Sequence, residues 1–349
     1  YSLFHGLSST WMWTMGAPGP LSGYAPDLTN LPFFEASRQS LRQINSGIFA
    51  LLRNARRAND GIAIHYSEAS RIADSLFSDD KRCTAWMESL ADFNHAVEDC
   101  GLQYQYLAYE QIEQDELRKG AYRVLLMPHS RAVSDREAAA IRRFVDDGGL
   151  LIADIMPGVL NGHGSRQEPS ALADLFPLSE PGSVNSVGKG KTVLLGDALS
   201  GYGYAAFRNM QGWKRLQGRS RVLADLLRTH AGIVPQATVS PRGEDEMPPT
   251  EITRFEVADA QFIGLLRKHY YYDNAPYPAT VHFPARRHTY DVRAGRYLGY
   301  IDSLDTDISY EAQLYACLPY VVRSLTVNAD SADRAAPTEV RVSLQTDGP

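Results

Sequence analysis

Cysteine is scarce in this chain. Three in 349 residues, Cys83, Cys100 and Cys317, are an odd number at spacings that fit neither a CxxC metal site nor a disulfide framework. They read as buried free thiols. Long apolar runs are absent as well: nothing approaches the ~18 residues of a membrane span, and no membrane partner is expected. Positive charge is not in excess. Lys and Arg number 35 against 41 Asp and Glu, a net charge of −6, which argues against nucleic acid or an anionic surface as partner. The local cluster Arg53, Arg56 and Arg57 reads as a solvated helix end. Gly188 to Lys191, "GKGK", lacks the spacing of a phosphate-binding P-loop. No cofactor and no metal are expected. The opening Tyr1-Ser2-Leu3-Phe4-His5-Gly6 has no basic n-region and does not read as a signal peptide. The missing initiator Met fits a processed or excised product.

What is present is the composition of a soluble globular protein, 44% hydrophobic and 22% charged. The length suggests two or three domains. Residues 1–60 supply an aromatic, strand-like run, "LFHGLSSTWMWTM", a Gly- and Pro-rich loop, and a helix with Leu41, Ile44, Ile48, Leu51 and Leu52 on one face. Such a unit cannot bury its apolar face alone. Residues 61–240 alternate strand and helix patterns. "GIAIHYS", "LQYQYLAY", "YRVLLMPHS" and "LLIAD" are strands. "GKGKTVLLGD" is a late edge strand and "GWKRLQGRSRVLADLLRTHAGI" a closing helix. Ser134 with Glu137 three residues on is a capping box, and that helix stops at Gly148-Gly149. The series implies an α/β domain with a mostly parallel, doubly wound sheet. "SPRGEDEMPPTE" (240–251) reads as a linker. Short β patterns from 250 to 330 then predict a small antiparallel β-sandwich, and residues 331–349 begin a further strand or tail. No internal repeat is visible.

Four stretches carry a family resemblance: "WMW" and its loop, "LRQINSGIFALLRNARRANDGIAIHYSEAS", "YRVLLMPHSRAVSDREAAAIRRFVDDGGLLIAD" and "YDVRAGRYLGYID". Together they resemble the C-terminal part of glycoside hydrolase family 42 β-galactosidases. The resemblance implies the last strand and helix of a (β/α)8 barrel over 1–60, a class I amidotransferase-like trimerisation domain over 61–240 and a small β-domain over 250–330. It implies carbohydrate as ligand and a homo-oligomer, a trimer, as assembly. In amidotransferases a nucleophilic cysteine sits on the sharp turn after a strand such as "GGLLIAD". Here that turn carries Asp154, Ile155 and Met156, none of them a thiol.

Two groups of residues are candidate ligand contacts. Trp11 and Trp13 share a face of the proposed barrel strand, where an aromatic can stack on a sugar ring; His5 and Asp27 lie near them in sequence. Tyr66, Ser67, Ser70, His129 and Asp154 fall at the carboxyl ends of the parallel strands, where such folds bind ligands. A Ser, His and Asp there also evoke a hydrolytic triad. No catalytic residue is assigned. A retaining glycosidase needs two carboxyl groups about 5 Å apart; the family places them on barrel strands before this chain begins. Glu35, the only Glu in the first 60 residues, opens a helix. The leading expectation is an assembly region of a glycoside hydrolase that contributes one wall of a carbohydrate site. The alternatives are a free-standing binding or structural module and a hydrolase using Ser67 or Ser70 with His129.

Overall fold

The computed structural model describes residues 4–5, 29, 38, 41–42, 44–77, 84–203, 212–243, 247–267, 275–329 and 340–347. A π-helical turn, Ile44–Ile48, leads into α1 (Phe49–Asn54), and β1 is the two-residue strand Arg56–Arg57. The α/β unit follows: β2 (Ile62–Tyr66), α2 (Glu68–Phe77), α3 (Thr84–Asp99), β3 (Tyr104–Ala108), α4 (Tyr109–Glu113), α5 (Glu116–Lys119), β4 (Val124–Met127), α6 (Asp135–Asp146), β5 (Leu150–Ala153), β6 (Val184–Val187), β7 (Gly190–Leu194) and α7 (Gly212–Ala231). Its six strands run in the order β3-β2-β4-β5-β7-β6. All pairs are parallel except β6 with β7.

The near-continuous apolar character of β2, β4 and β5 follows from burial on both faces. Alternate residues point to opposite sides. Ile62, Ile64, Val124, Leu126, Leu150 and Ile152 face Phe93 and Val97 of α3 and Leu223 and Leu227 of α7. Ala63, Leu125, Met127, Leu151 and Ala153 face Ile112, Leu117, Ile141 and Phe144 of α4 to α6. The expected doubly wound arrangement is therefore present. The outer edge differs: "GKGKTVLLGD" forms the penultimate strand, and β6 covers it as an antiparallel hairpin partner. Gly190 starts β7 where a Cβ would fall 2.2 Å from the Val145 carbonyl oxygen at the end of α6. Only glycine permits that approach. The capping box forms: Glu137 N–H donates to Ser134 Oγ at 3.1 Å and Ser134 N–H to Glu137 Oε2 at 2.7 Å.

The second sheet holds β8 (Thr238–Pro241), β9 (Thr250–Val257), β10 (Ala260–Arg267), β11 (Tyr277–Asp291), β12 (Arg296–Ile308) and β13 (Gln313–Leu318), with β1 at one edge. The order is β1-β9-β10-β13-β11-β12, with β8 on β11. This corrects the sandwich expectation. One seven-stranded antiparallel sheet curls on itself instead of splitting into two, because β11 is long and takes three partners. Its Ala279–His282 end pairs β8, its His288–Asp291 end pairs β13, and β12 runs along it past a break in register between His282 and Arg287. Breaks of this kind bend a strand. The curl encloses Ile252, Ile263, Leu265, Val281, Phe283 and Ile308. The stretch expected as a linker contributes β8, so it is partly built into the sheet. A ribbon of β14 (Val321–Ala329) and β15 (Val340–Asp347) follows, where a further strand was expected.

The sheets meet at a buried ion pair. The Arg254 guanidinium on β9 bonds Asp60, just before β2, and Gln236 Oε1 at 2.7 Å. Gln103 completes the joint: its Oε1 accepts Arg254 N–H at 2.7 Å, and its own N–H donates to Asp60 Oδ2 at 2.8 Å. No helix among the described residues is long and apolar enough to cross a membrane.

Candidate functional site

In the α/β unit the strand order reverses at β2, which lies between β3 and β4. A crevice at the carboxyl ends of these strands is where this architecture binds ligands. The expected residues sit there, but they form separate groups. Ser67 and Ser70 Oγ are 2.8 Å apart; Ser70 Oγ accepts Ala132 N–H at 2.9 Å, and Ser67 Oγ accepts Ser70 N–H at 3.1 Å, as a local helix cap. Tyr66 makes edge contacts with Trp86 and Tyr106, with ring centroids 5.3 and 5.9 Å away. Asp154 is spent on organising backbone. Its Oδ1 accepts His129 N–H at 2.8 Å and Ile155 N–H at 2.9 Å, and its Oδ2 accepts Ser89 Oγ–H at 2.5 Å. Neither Ser67 nor Ser70 hydrogen-bonds His129 among the described residues, so no triad is assembled from them.

The strained turn at this end belongs to His129, whose φ is +40°, and not to Asp154. A non-glycine residue in the left-handed region costs energy and is often held at functional sites. Burial pushes the His129 imidazole below its usual range; Asp154 and Asp74 pull the other way without reversing it, and Arg131 adds to the lowering. The His129 Nε2 lies 3.6 Å from Asp74 Oδ1. Nearby, Asp92 accepts the N–H groups of Gly201 at 3.0 Å and Gly203 at 2.6 Å. Burial nevertheless lifts its carboxyl to about 6.

Sequence reading missed a second array beneath this surface. His65 Nδ1 lies 2.9 Å from Ser130 Oγ and His65 Nε2 3.0 Å from Glu137 Oε1. This is a Ser-His-Glu chain, but His65 and Ser130 are both 0% exposed, and no substrate reaches them. It locks the turn after β4 to the cap of α6. The available signals were a lone His inside "IAIHY" and a capping-box Glu, and neither betrays the contact.

Open space at this end is a cleft of about 470 Å³ lined by Ser67, Ile72, Phe77, Tyr109, Glu137 and His163 among others. A larger cleft, about 690 Å³, lies at the opposite, amino ends of the strands, between Asp99–Leu102, α7 and the Pro248–Thr250 approach to β9. Of the residues expected to line a sugar site, Trp11, Trp13 and Asp27 lie outside the described residues. His5 is placed at the junction of the two sheets, 2.9 Å from Glu251 Oε1.

No protein-family model matches the sequence, and comparison with curated protein sequences gives no match. Comparison of folds does. A catalytic mutant of a GH42 β-galactosidase from G. stearothermophilus aligns over 90% of this chain and 49% of its own, with a TM-score of 0.63 at 12% identity. The β-galactosidase from Bacillus circulans sp. alkalophilus aligns over 86% of this chain and 48% of its own, with a TM-score of 0.61 at 12% identity. A rhamnosidase from a Novosphingobium species covers 97% of this chain with 32% of its own, at a TM-score of 0.52 and 13% identity. The chain thus spans less than half the length of these glycosidases, and what it shares with them is the fold.

Proposed function

We propose that this chain is the C-terminal assembly region of a glycoside hydrolase related to GH42 β-galactosidases. The observation that carries this reading is the order of its parts. A doubly wound α/β unit is followed by a curled antiparallel sheet, and the chain aligns over 86–97% of its length with glycosidases of which it spans less than half. In this reading residues 1–60 are the last barrel unit, and Trp11, Trp13 and Asp27 form one wall of a carbohydrate site. The catalytic carboxylates belong to a barrel that precedes the chain. The α/β unit keeps an amidotransferase-like frame without its chemistry: Asp154 stands on the turn and is consumed by backbone N–H groups. Its role is assembly, as a cyclic homo-oligomer, a trimer.

The test is the intact mass of the protein from its native source, followed by a panel of nitrophenyl glycosides. The reading expects a mass well above that of 349 residues, glycosidase activity in the long form and none in residues 1–349 alone. A native mass equal to this chain would sink it. The free-standing binding module would then be preferred, with the 470 Å³ strand-end cleft as its site; a thermal-shift screen against sugars and small acids would find its ligand.

A further inference from the structure

The junction of the two sheets buries a set of donors that the mechanism of a glycosidase does not use. His5, Glu98 near the end of α3 and Glu251 on β9 place one imidazole nitrogen and two carboxylate oxygens within 4.8 Å of one another. His5 Nε2 is 2.9 Å from Glu251 Oε1 and 4.0 Å from Glu98 Oε1. Glu98 is 4% exposed and Glu251 1%. Two carboxylates buried this deeply are costly unless a cation compensates them. Arg254, on the same strand, is committed to Asp60 and Gln236.

Glu251 supplies the second observation. Among the described residues neither of its carboxylate oxygens accepts a hydrogen bond, although both are buried. The His5 nitrogen is close to Oε1, yet the approach is not that of an N–H donor; two donors aimed at a common point would look the same. Glu98 is held in place by second contacts. The Tyr104 hydroxyl donates to its Oε1 at 2.9 Å, and His95 Nδ1 stands 3.4 Å from its Oε2. Such outer partners orient metal-ligating carboxylates. His5 is delivered by its neighbour: Phe4 is buried, stacks at 6.1 Å on Phe255 and fills the space over Gly264, where a Cβ would fall 2.7 Å from its ring.

From this geometry we propose that His5, Glu98 and Glu251 bind a divalent transition-metal ion of the Zn²⁺ class, which ties His5, ahead of α1, to helix α3 and strand β9. Bonds of about 2.0–2.2 Å let one such ion bridge donors about 3 to 4 Å apart. One nitrogen with two carboxylate oxygens suits Zn²⁺ or Mn²⁺ better than Mg²⁺, which keeps most of its waters. The three ligands come from segments far apart in the chain and show no motif spacing, so no local pattern announces a metal.

The experiment is metal analysis of the full-length protein, purified without chelator, then stripped with dipicolinate and titrated with Zn²⁺ or Mn²⁺ while the melting temperature is followed. About one metal per chain, lost on stripping, and a rise in Tm of several degrees on return of the ion are expected. Glu251→Gln should abolish both metal and Tm response. His5→Ala, at a position less buried than Glu251 and so less able to prevent folding, should weaken binding at least tenfold. A stripped wild-type protein that takes up neither ion and melts unchanged overturns the proposal. So does a folded His5→Ala, Glu251→Gln double variant that still binds metal like the wild type.

Discussion

Glu137 shows how much one side chain can carry. It caps α6, and it holds His65 in the buried chain to Ser130. Burial alone would raise its carboxyl, but the hydrogen bonds and charge of His65 and the Ser134 contacts outweigh burial, and the net shift is downward. A depressed folded value means that stability from Glu137 is present above the unfolded carboxylate range and is lost as pH falls through the lower folded value. Glu137→Gln is expected to lower unfolding free energy by about 1–3 kcal/mol at pH 7 and to flatten the acid limb, as read by urea unfolding at pH 7 and pH 3.5. Asp92 has the opposite sign. With its folded value at about 6, its contribution is fully present below the unfolded range and is lost as pH rises through about 6. A carboxyl ¹³C titration should place its midpoint near 6; a midpoint in the ordinary Asp range would contradict the burial account. Of these roles the sequence revealed only the cap, because Ser-x-x-Glu is a local pattern. The contact of Glu137 with His65 spans 72 positions, and no local spacing encodes it.

Among the elements, the parallel strands were legible because burial on both faces leaves uninterrupted apolar runs. Helices α6 and α7 were legible from the capping box, periodicity and stop signals, whereas α2, α4 and α5 were not expected. The curl of the second sheet was not. A strand that serves three partners looks, in sequence, like several short strands, and in "HFPARRH" only Pro284, which cannot donate to the ladder, marks the register break. The edge order failed for a related reason: β6 is short and polar, and only its pairing makes it a strand. Strand-end positions were legible, but their grouping into separate networks depended on which backbone N–H groups needed partners. At this scale the close approach of β7 to α6 makes a clear prediction. Gly190→Ala sets a Cβ against the Val145 carbonyl and is expected to cost about 1–3 kcal/mol by overpacking, measured as a lower denaturation midpoint with unchanged m-value. A neutral result would mean that the end of α6 yields easily.

For the whole molecule, the decisive contact is Asp60 with Arg254. Removing one partner of a buried pair leaves the other charged and unsolvated, at about 3–5 kcal/mol. Asp60→Ala is expected to cost that much and to split a single calorimetric transition into two, one for each sheet. Persistence of one transition would mean that other contacts hold the sheets together. The pair was invisible in sequence, since its members lie 194 positions apart. The same separation has a consequence during synthesis. β1 pairs with β9 through Arg56 and Glu256, which are 200 residues apart. A ribosome adding about 5–20 residues each second leaves β1 without its partner for roughly 10–40 s, whereas β2 to β5 can pair within half that length of chain. The α/β unit is therefore free to fold on the ribosome first, and the curled sheet must close afterwards around a strand that left the exit tunnel long before. Chaperones that shield unpaired edges have their opportunity in that interval.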